Sequence, residues 1–237
     1  MRSIPPNTIT RRNQVKRNLI FLTLAGSTLL SAASDVDKRL DVAASTFKEV
    51  MGLPDKSIPQ DLLAKADCIV IVPGLKKGAF IVGAKFGKGF LSCRKASGVG
   101  WSALGAIRVE GGSVGFQIGG SETDVFMLVM NKRGVDRLLS SQFTLGGDAS
   151  VAAGPVGRST QAETDAAMTA EILTWSRSRG IFAGISLSGA TLREDQDANS
   201  DMYGHKMSNK EIVEGTMKAP AAAAGLMTEL NRYSARK

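Results

Sequence analysis

Histidine is nearly absent from this 237-residue chain: His205 is the only one. Cysteine occurs twice, at Cys68 and Cys93, and aromatic residues make up 5% of the sequence. Each scarcity excludes something. Two cysteines alone build no structural zinc site. A lone histidine needs a nucleophile to form a triad, and no G-x-S-x-G elbow occurs to supply one. A structural or surface role for His205 is therefore favoured over a hydrolase built on Ser102 or Ser186. The phosphate-binding patterns fail too. Gly87-Lys88 is followed by Gly89 where a Walker loop requires serine or threonine. Gly98-Val99-Gly100-Trp101-Ser102-Ala103 fits the loose G-x-G-x-x-A pattern, but a β-like run follows it instead of a helix. Asp195, Asp197, Asn199 and Asp201 alternate as in a calcium loop. Ser200 and Lys206 stand where that loop needs its glycine and its bidentate glutamate. The reading is a chain with no catalytic residues, no cofactor and no metal.

Glycine is abundant instead. Twenty-one of the 26 glycines fall between Cys68 and Gly189, where they punctuate short runs of valine, isoleucine, leucine and phenylalanine. That pattern describes brief, sharply turned strands.

No acidic residue precedes Asp35, whereas Arg2, Arg11, Arg12, Lys16 and Arg17 are basic. An apolar run over 19–30 then leads into Ser31-Ala32-Ala33-Ser34. A basic segment, a short apolar core and small residues at Ser31 and Ala33 make an export signal over 1–33, cut after Ala33. The run is short for a span of about 20 residues. Thr10-Arg11-Arg12-Asn13-Gln14-Val15-Lys16 is similar to the twin-arginine motif, with Gln14 in place of the usual phenylalanine, so both export routes stay open. Without 1–33, 25 basic residues face 22 acidic ones, a net of +3 against +8 for the whole chain. Overall charge therefore gives no case for nucleic-acid binding.

Residues 34–237 form one domain with a sizeable core. Val36, Leu40, Ala43, Phe47 and Val50 share one face of a helix over 34–51, capped by Ser34 and ended by Gly52 and Pro54. A short helix follows over 59–66. Strands are expected over 68–72, 79–86 and 89–95, the last two as a hairpin around Gly87-Lys88-Gly89. Further strands over 103–109 and 113–118 surround a turn at Glu110-Gly111-Gly112. A strand over 124–130, a helix over 132–140 and a bent strand or loop over 143–153 come next. A strand pair over 170–177 and 181–187 turns at Arg179-Gly180, and an acidic loop with a helical turn covers 194–203. Helices over 209–214 and 221–233 close the chain. The fold class is α+β: a mainly antiparallel, glycine-rich sheet, barrel- or sandwich-like, flanked by N- and C-terminal helices. Cys68 and Cys93 sit in strands and either pair, as an oxidising compartment permits, or remain two buried thiols, the reading preferred here.

Lys76, Lys77, Lys85, Lys88, Arg94, Lys95 and Arg108 include every charged residue from 76 to 108, with no acid among them. If they gather at one end of the sheet they form an anion-attracting patch, with Phe80, Phe86 and Phe90 interleaved to touch acyl chains. The competing reading has the lysines solubilising turns and the phenylalanines filling the core.

The residues also carry a resemblance. Ile58-Pro59, Ala66 to Pro73, Gly78-Ala79-Phe80, Trp101-Ser102, Gly115 to Gly119 and Thr123-Asp124 occur in the order of the SYLF domain, also called the Ysc84 or DUF500 family. Gly154 to Arg158, Ser176 to Gly189, Asn199 and Tyr203-Gly204 continue it. The match spans about 36–214, and Leu104 stands where the family often has proline. The resemblance implies non-catalytic binding of anionic phospholipids such as phosphoinositides, helped by an amphipathic N-terminal helix; Val36, Leu40 and Phe47 would be its membrane-facing residues. It also implies an exported member of bacterial type, periplasmic or secreted and peripheral on a membrane. The actin binding of some members is not carried over. The helix carries Lys38, Arg39 and Lys48 against Asp35, Asp37, Asp41 and Glu49, so anionic contact is assigned to the 76–108 patch. The alternative is an envelope scaffold for protein or cell-wall partners without lipid binding.

Overall fold

The computed structural model describes residues 34–53, 57–79, 82–114, 119–155, 169–178, 181–183 and 187–234. The export segment 1–33, Phe80, the Arg179-Gly180 turn and Ser186 lie outside them. The architecture is α+β, as the sequence indicates.

Helix α1 (Asp35–Met51) starts where the sequence places it. The Ser34 hydroxyl accepts from Asp37 N at 3.0 Å, and Asp37 Oδ2 accepts from Ser34 N at 3.1 Å, so two backbone donors are satisfied reciprocally. Helix α2 (Gln60–Lys65) follows. The sheet contains β1 (Cys68–Ala79), β2 (Val82–Cys93), β3 (Gly105–Val114), β4 (Gly119–Val129), β5 (Gln142–Thr144), β6 (Val151–Ala153), β7 (Ile172–Ser178), β8 (Ile181–Ala183) and β9 (Thr191–Glu194). Between β4 and β5 lies α3 (Lys132–Leu138). After β9 come α4 (Gln196–Tyr203), α5 (Asn209–Glu214), a 3-10 turn (Ala221–Ala223) and α6 (Ala224–Ser234).

Strand order is β5-β9-β3-β2-β1-β4-β7-β6, with β8 on β7. Every pair is antiparallel except β6 with β7. The first and last strands of that order, β5 and β6, are consecutive in sequence. Seven gaps of ~4.8 Å would part them by about 34 Å in a flat sheet. The linker 145–150 reaches at most about 25 Å. The sheet therefore curls into a half-barrel. Leu145 N donates to Ala190 O and Ile172 N to Ser150 O, which ties each end of the linker to one edge of the curl.

Both faces of the central strands are covered, which explains the unbroken apolar run at the start of β1. Ile69, Ile71, Phe90, Phe126 and Trp175 pack under α1 and α6 with Phe47, Leu226 and Leu230. Val70, Val72, Leu91, Val109 and Met127 fill the inside of the curl with Phe143 and Leu192.

Two expected turns are absent. Gly87 and Gly89 lie inside β2, and Gly111 and Gly112 inside β3. Gly87, Gly89 and Gly111 answer crowding. A Cβ on Gly89 would stand 2.1 Å from Ile71 O, and one on Gly111 would stand 3.2 Å from Ala190 Cα. At Gly87 and Gly89 the crowding comes from a bulge in β1. Between the pairs Ile71↔Phe90 and Lys76↔Phe86, β1 advances one residue more than β2. Gly74 sits in the bulge at φ +60°, and its N–H donates to Asp124 Oδ1 at 2.9 Å.

The cysteines also depart from the preferred reading. Cys68 and Cys93 are register partners on β1 and β2 and form a buried disulfide.

Candidate functional site

The bulge sorts the cations. With one extra residue, side-chain parity in β1 reverses, so Leu75 and Lys77 face the inside of the curl and Lys76 faces out. Lys77 is then directly opposite Lys85, and Lys76 directly opposite Phe86. Lys76 is exposed and Lys77 and Lys85 are half-buried, while Phe86 keeps 49% of its surface in water. Burial, and then the charge of Lys85, holds the Lys77 ammonium below the ordinary lysine range. Among the described residues none of these three lysines is in an ion pair; the acid beside them is the exposed Glu122 on β4, the register neighbour of Lys76.

The other four cations are elsewhere, so the seven do not gather at one end. Lys88 Nζ lies 2.8 Å from Asp195 Oδ2, a carboxylate 1% exposed. Arg108 Nε lies 3.1 Å from Glu110 Oε1, and Glu110 Oε2 also holds Arg193 at 3.4 Å. Arg94 stacks 3.9 Å above the Trp101 ring and donates to Leu63 O at 3.1 Å. Lys95 is exposed beside it, about 30 Å along β2 from Lys85 at ~3.3 Å per residue. Sequence reading placed Asp195 in a calcium-loop-like alternation and missed it as the partner of Lys88, which follows from how β9 and α4 dock, and it gave Glu110 to a turn when it lies in β3.

Val36, Leu40 and Phe47 are buried, at 4%, 1% and 0% exposure. They pack α1 onto the sheet, and Phe90 belongs to the same core. The water-facing side of α1 presents Asp35, Asp41 and Glu49 with Lys38 and Lys48, so it is not basic.

The remaining motif residues are structural. Asn199 Oδ1 accepts from Ala106 N at 2.7 Å, and its Nδ2 donates to Asn209 Oδ1 at 2.9 Å. Asn209 Nδ2 donates to Ala106 O at 3.1 Å. Tyr203 donates to Leu104 O at 2.7 Å, and its burial pushes the phenol up to about 12. These bonds fasten α4 and α5 to the start of β3. Asp195 caps α4, Asn199 turns inward, and no metal-ligating group occurs among the described residues. His205 is exposed. Ser102 is buried, with its hydroxyl committed to Cys93 N and Ala103 O. Residues 215–220, which the sequence offers only as a break between helices, wall a groove beside Lys95.

Residues 110–233 match the family model Ysc84, described as "Las17-binding protein actin regulator". The human "SH3 domain-containing YSC84-like protein 1" is 35% identical over 182 residues, covering 76% of this chain and 53% of the relative. "Protein YSC84" of Saccharomyces cerevisiae is 35% identical over 203 residues, 83% of this chain and 42% of its own length. "LAS seventeen-binding protein 3" of the same yeast is 34% identical over 206 residues, covering 84% and 44%. The chain thus spans about half the length of the relatives it matches. The family description and the name of the last of these relatives are those of binding or regulatory proteins. The chain belongs to the Ysc84 family.

Proposed function

We propose that this domain docks, without catalysis, on anionic phospholipid surfaces through the end of the β1–β2 hairpin where β1 leads into β2. The observation that carries the reading is the Lys77–Lys85 cross-strand pair, with Lys76 and exposed Phe86 on the other face of the same hairpin end. Like charges directly opposite each other on a sheet are destabilising, and partial burial adds to the cost. A phosphate-bearing headgroup between them relieves both. Phe86 supplies an apolar contact at the depth where aromatic rings sit in a membrane interface. The buried stripe of α1 takes no part unless the helix leaves the sheet.

The test is co-sedimentation with phosphatidylcholine vesicles, with and without phosphatidic acid. Each basic residue near an anionic surface contributes about 1 kcal/mol, so K76A/K77A/K85A should bind acidic vesicles roughly 100-fold more weakly. Wild-type binding should weaken as salt rises. Equal pelleting with neutral and acidic vesicles overturns the reading.

The proposal extends to location: residues 1–33 act as an export signal and 34–237 work in the cell envelope. The disulfide supports this, because such bonds persist in oxidising compartments. Protein recovered outside the cytoplasm should begin at Ser34. A cytoplasmic chain that retains 1–33 contradicts export.

A second reading, a scaffold for protein partners, is favoured by the family's description as Las17-binding. Its mark is a folded domain that ignores vesicles of either composition.

A further inference from the structure

The groove beside Lys95 lies at the opposite end of β2 from the hairpin lysines, and the inference drawn from it does not depend on vesicle docking. It encloses about 970 Å³ between the 94–103 turn, the end of α3, the 215–220 strap and the start of α6. That is the upper end of the ~300–1,000 Å³ typical of small-molecule sites. The strap leaves α5 extended at Gly215, with ψ −175°, and re-enters helix at Pro220. Among the described residues, Thr216 to Ala219 make no backbone–backbone hydrogen bond, and Ala219 anchors the strap against the core that holds Leu226 and Leu230.

The lining is divided by chemistry. Leu139, Val213, Met217 and Met227 form apolar walls, and the exposed Lys95 and Lys218 stand at the mouth. Neither lysine is in an ion pair among the described residues. The one acid in the lining, Glu214, has Lys132 of α3 as a charged neighbour. Methionine-rich walls adapt to irregular chains, and long apolar walls below two ammonium groups complement a chain with one anionic end.

We propose that this groove binds a long-chain fatty acid, with the acyl chain along Val213, Met217 and Met227 and the carboxylate between Lys95 and Lys218. Burial of the chain supplies affinity and the two lysines set its direction.

The experiment titrates the full chain with cis-parinaric acid and follows its fluorescence. Wild type should show saturable uptake that oleate reverses. Ala224→Trp, placed on the exposed start of α6 where it lines the groove, should weaken uptake at least tenfold while leaving acidic-vesicle binding unchanged. K95E/K218E alters only surface side chains; it should weaken parinarate at least tenfold and leave binding of oleyl alcohol, which lacks the charge, within twofold. Near-ultraviolet circular dichroism from Trp101 and Trp175 reports that each variant is folded. Uptake that does not saturate overturns the site. So does wild-type affinity in folded Ala224→Trp, or an equal loss of acid and alcohol in K95E/K218E.

Discussion

Gly89→Ala is expected to cost the domain about 3 kcal/mol, a large fraction of the roughly 5–15 kcal/mol that holds an ordinary domain folded. A Cβ at this position would stand 2.1 Å from Ile71 O and 2.8 Å from Val72 Cα. Both are backbone atoms at the start of the β1 bulge, so no rotamer change makes room. Relief requires β1 and β2 to separate where Ile71 and Phe90 face each other beneath α1. Gly78→Ala is the control. It is also a strand glycine of β1, yet nothing lies within 4 Å of its Cβ position. There the substitution should be neutral or stabilise by up to about 1 kcal/mol, because alanine has less conformational freedom to lose. Urea midpoints with unchanged slopes decide the matter. If Gly89→Ala unfolds at the wild-type midpoint, the bulge does not press on β2 as described.

Lys88→Met carries the second large effect, about 3 kcal/mol of destabilisation. Its partner Asp195 is 1% exposed and accepts from Ala198 N at the start of α4. Without the ammonium, a buried carboxylate keeps its desolvation cost and loses its counter-charge. Asp195→Asn alone should cost less, since Lys88 is 35% exposed and can turn to water. Asparagine also retains the capping oxygen. The double variant K88M/D195N should therefore recover most of the loss in Lys88→Met, and the double-mutant cycle measures the coupling. A Lys88→Met protein within about 0.5 kcal/mol of wild type would show the pair to be incidental. Because Lys88 is already engaged, folded Lys88→Met should bind acidic vesicles as wild type does.

These two residues also show where sequence reading stops. Gly87-Lys88-Gly89 has the composition of a hairpin turn, and turn chemistry is the local meaning of glycine. Its actual cause is a neighbour in space, the β1 backbone. The same holds for Gly111, pressed by Ala190 from 79 residues away. Elements whose signal is local were legible. Ser34 and Asp37 mark the start of α1 within one residue, and the three- and four-residue spacing of Val36, Leu40, Ala43, Phe47 and Val50 picks out its buried face. Lys132–Leu138 and Asn209–Glu214 follow the same logic. The preference for free thiols failed because pairing depends on register, and Cys68 meets Cys93 only when β1 and β2 run antiparallel as a single long hairpin.

The candidate site was half legible. An acid-free run from Lys76 to Arg108 is visible in the linear chain, but its charge balance is settled by acids that lie in other strands or outside the run. Asp195 arrives with α4, and Glu110 reaches Arg108 and Arg193 along and across β3.

By itself the amino-acid order determined the α+β class and the capped leading helix, because periodicity and capping act over a few neighbours. Only the tertiary structure decided which cations stay available. One extra residue in β1 reverses the parity of every side chain after it, leaving Lys77 against Lys85 and Lys76 against Phe86, and that reversal exists only relative to the strands on either side.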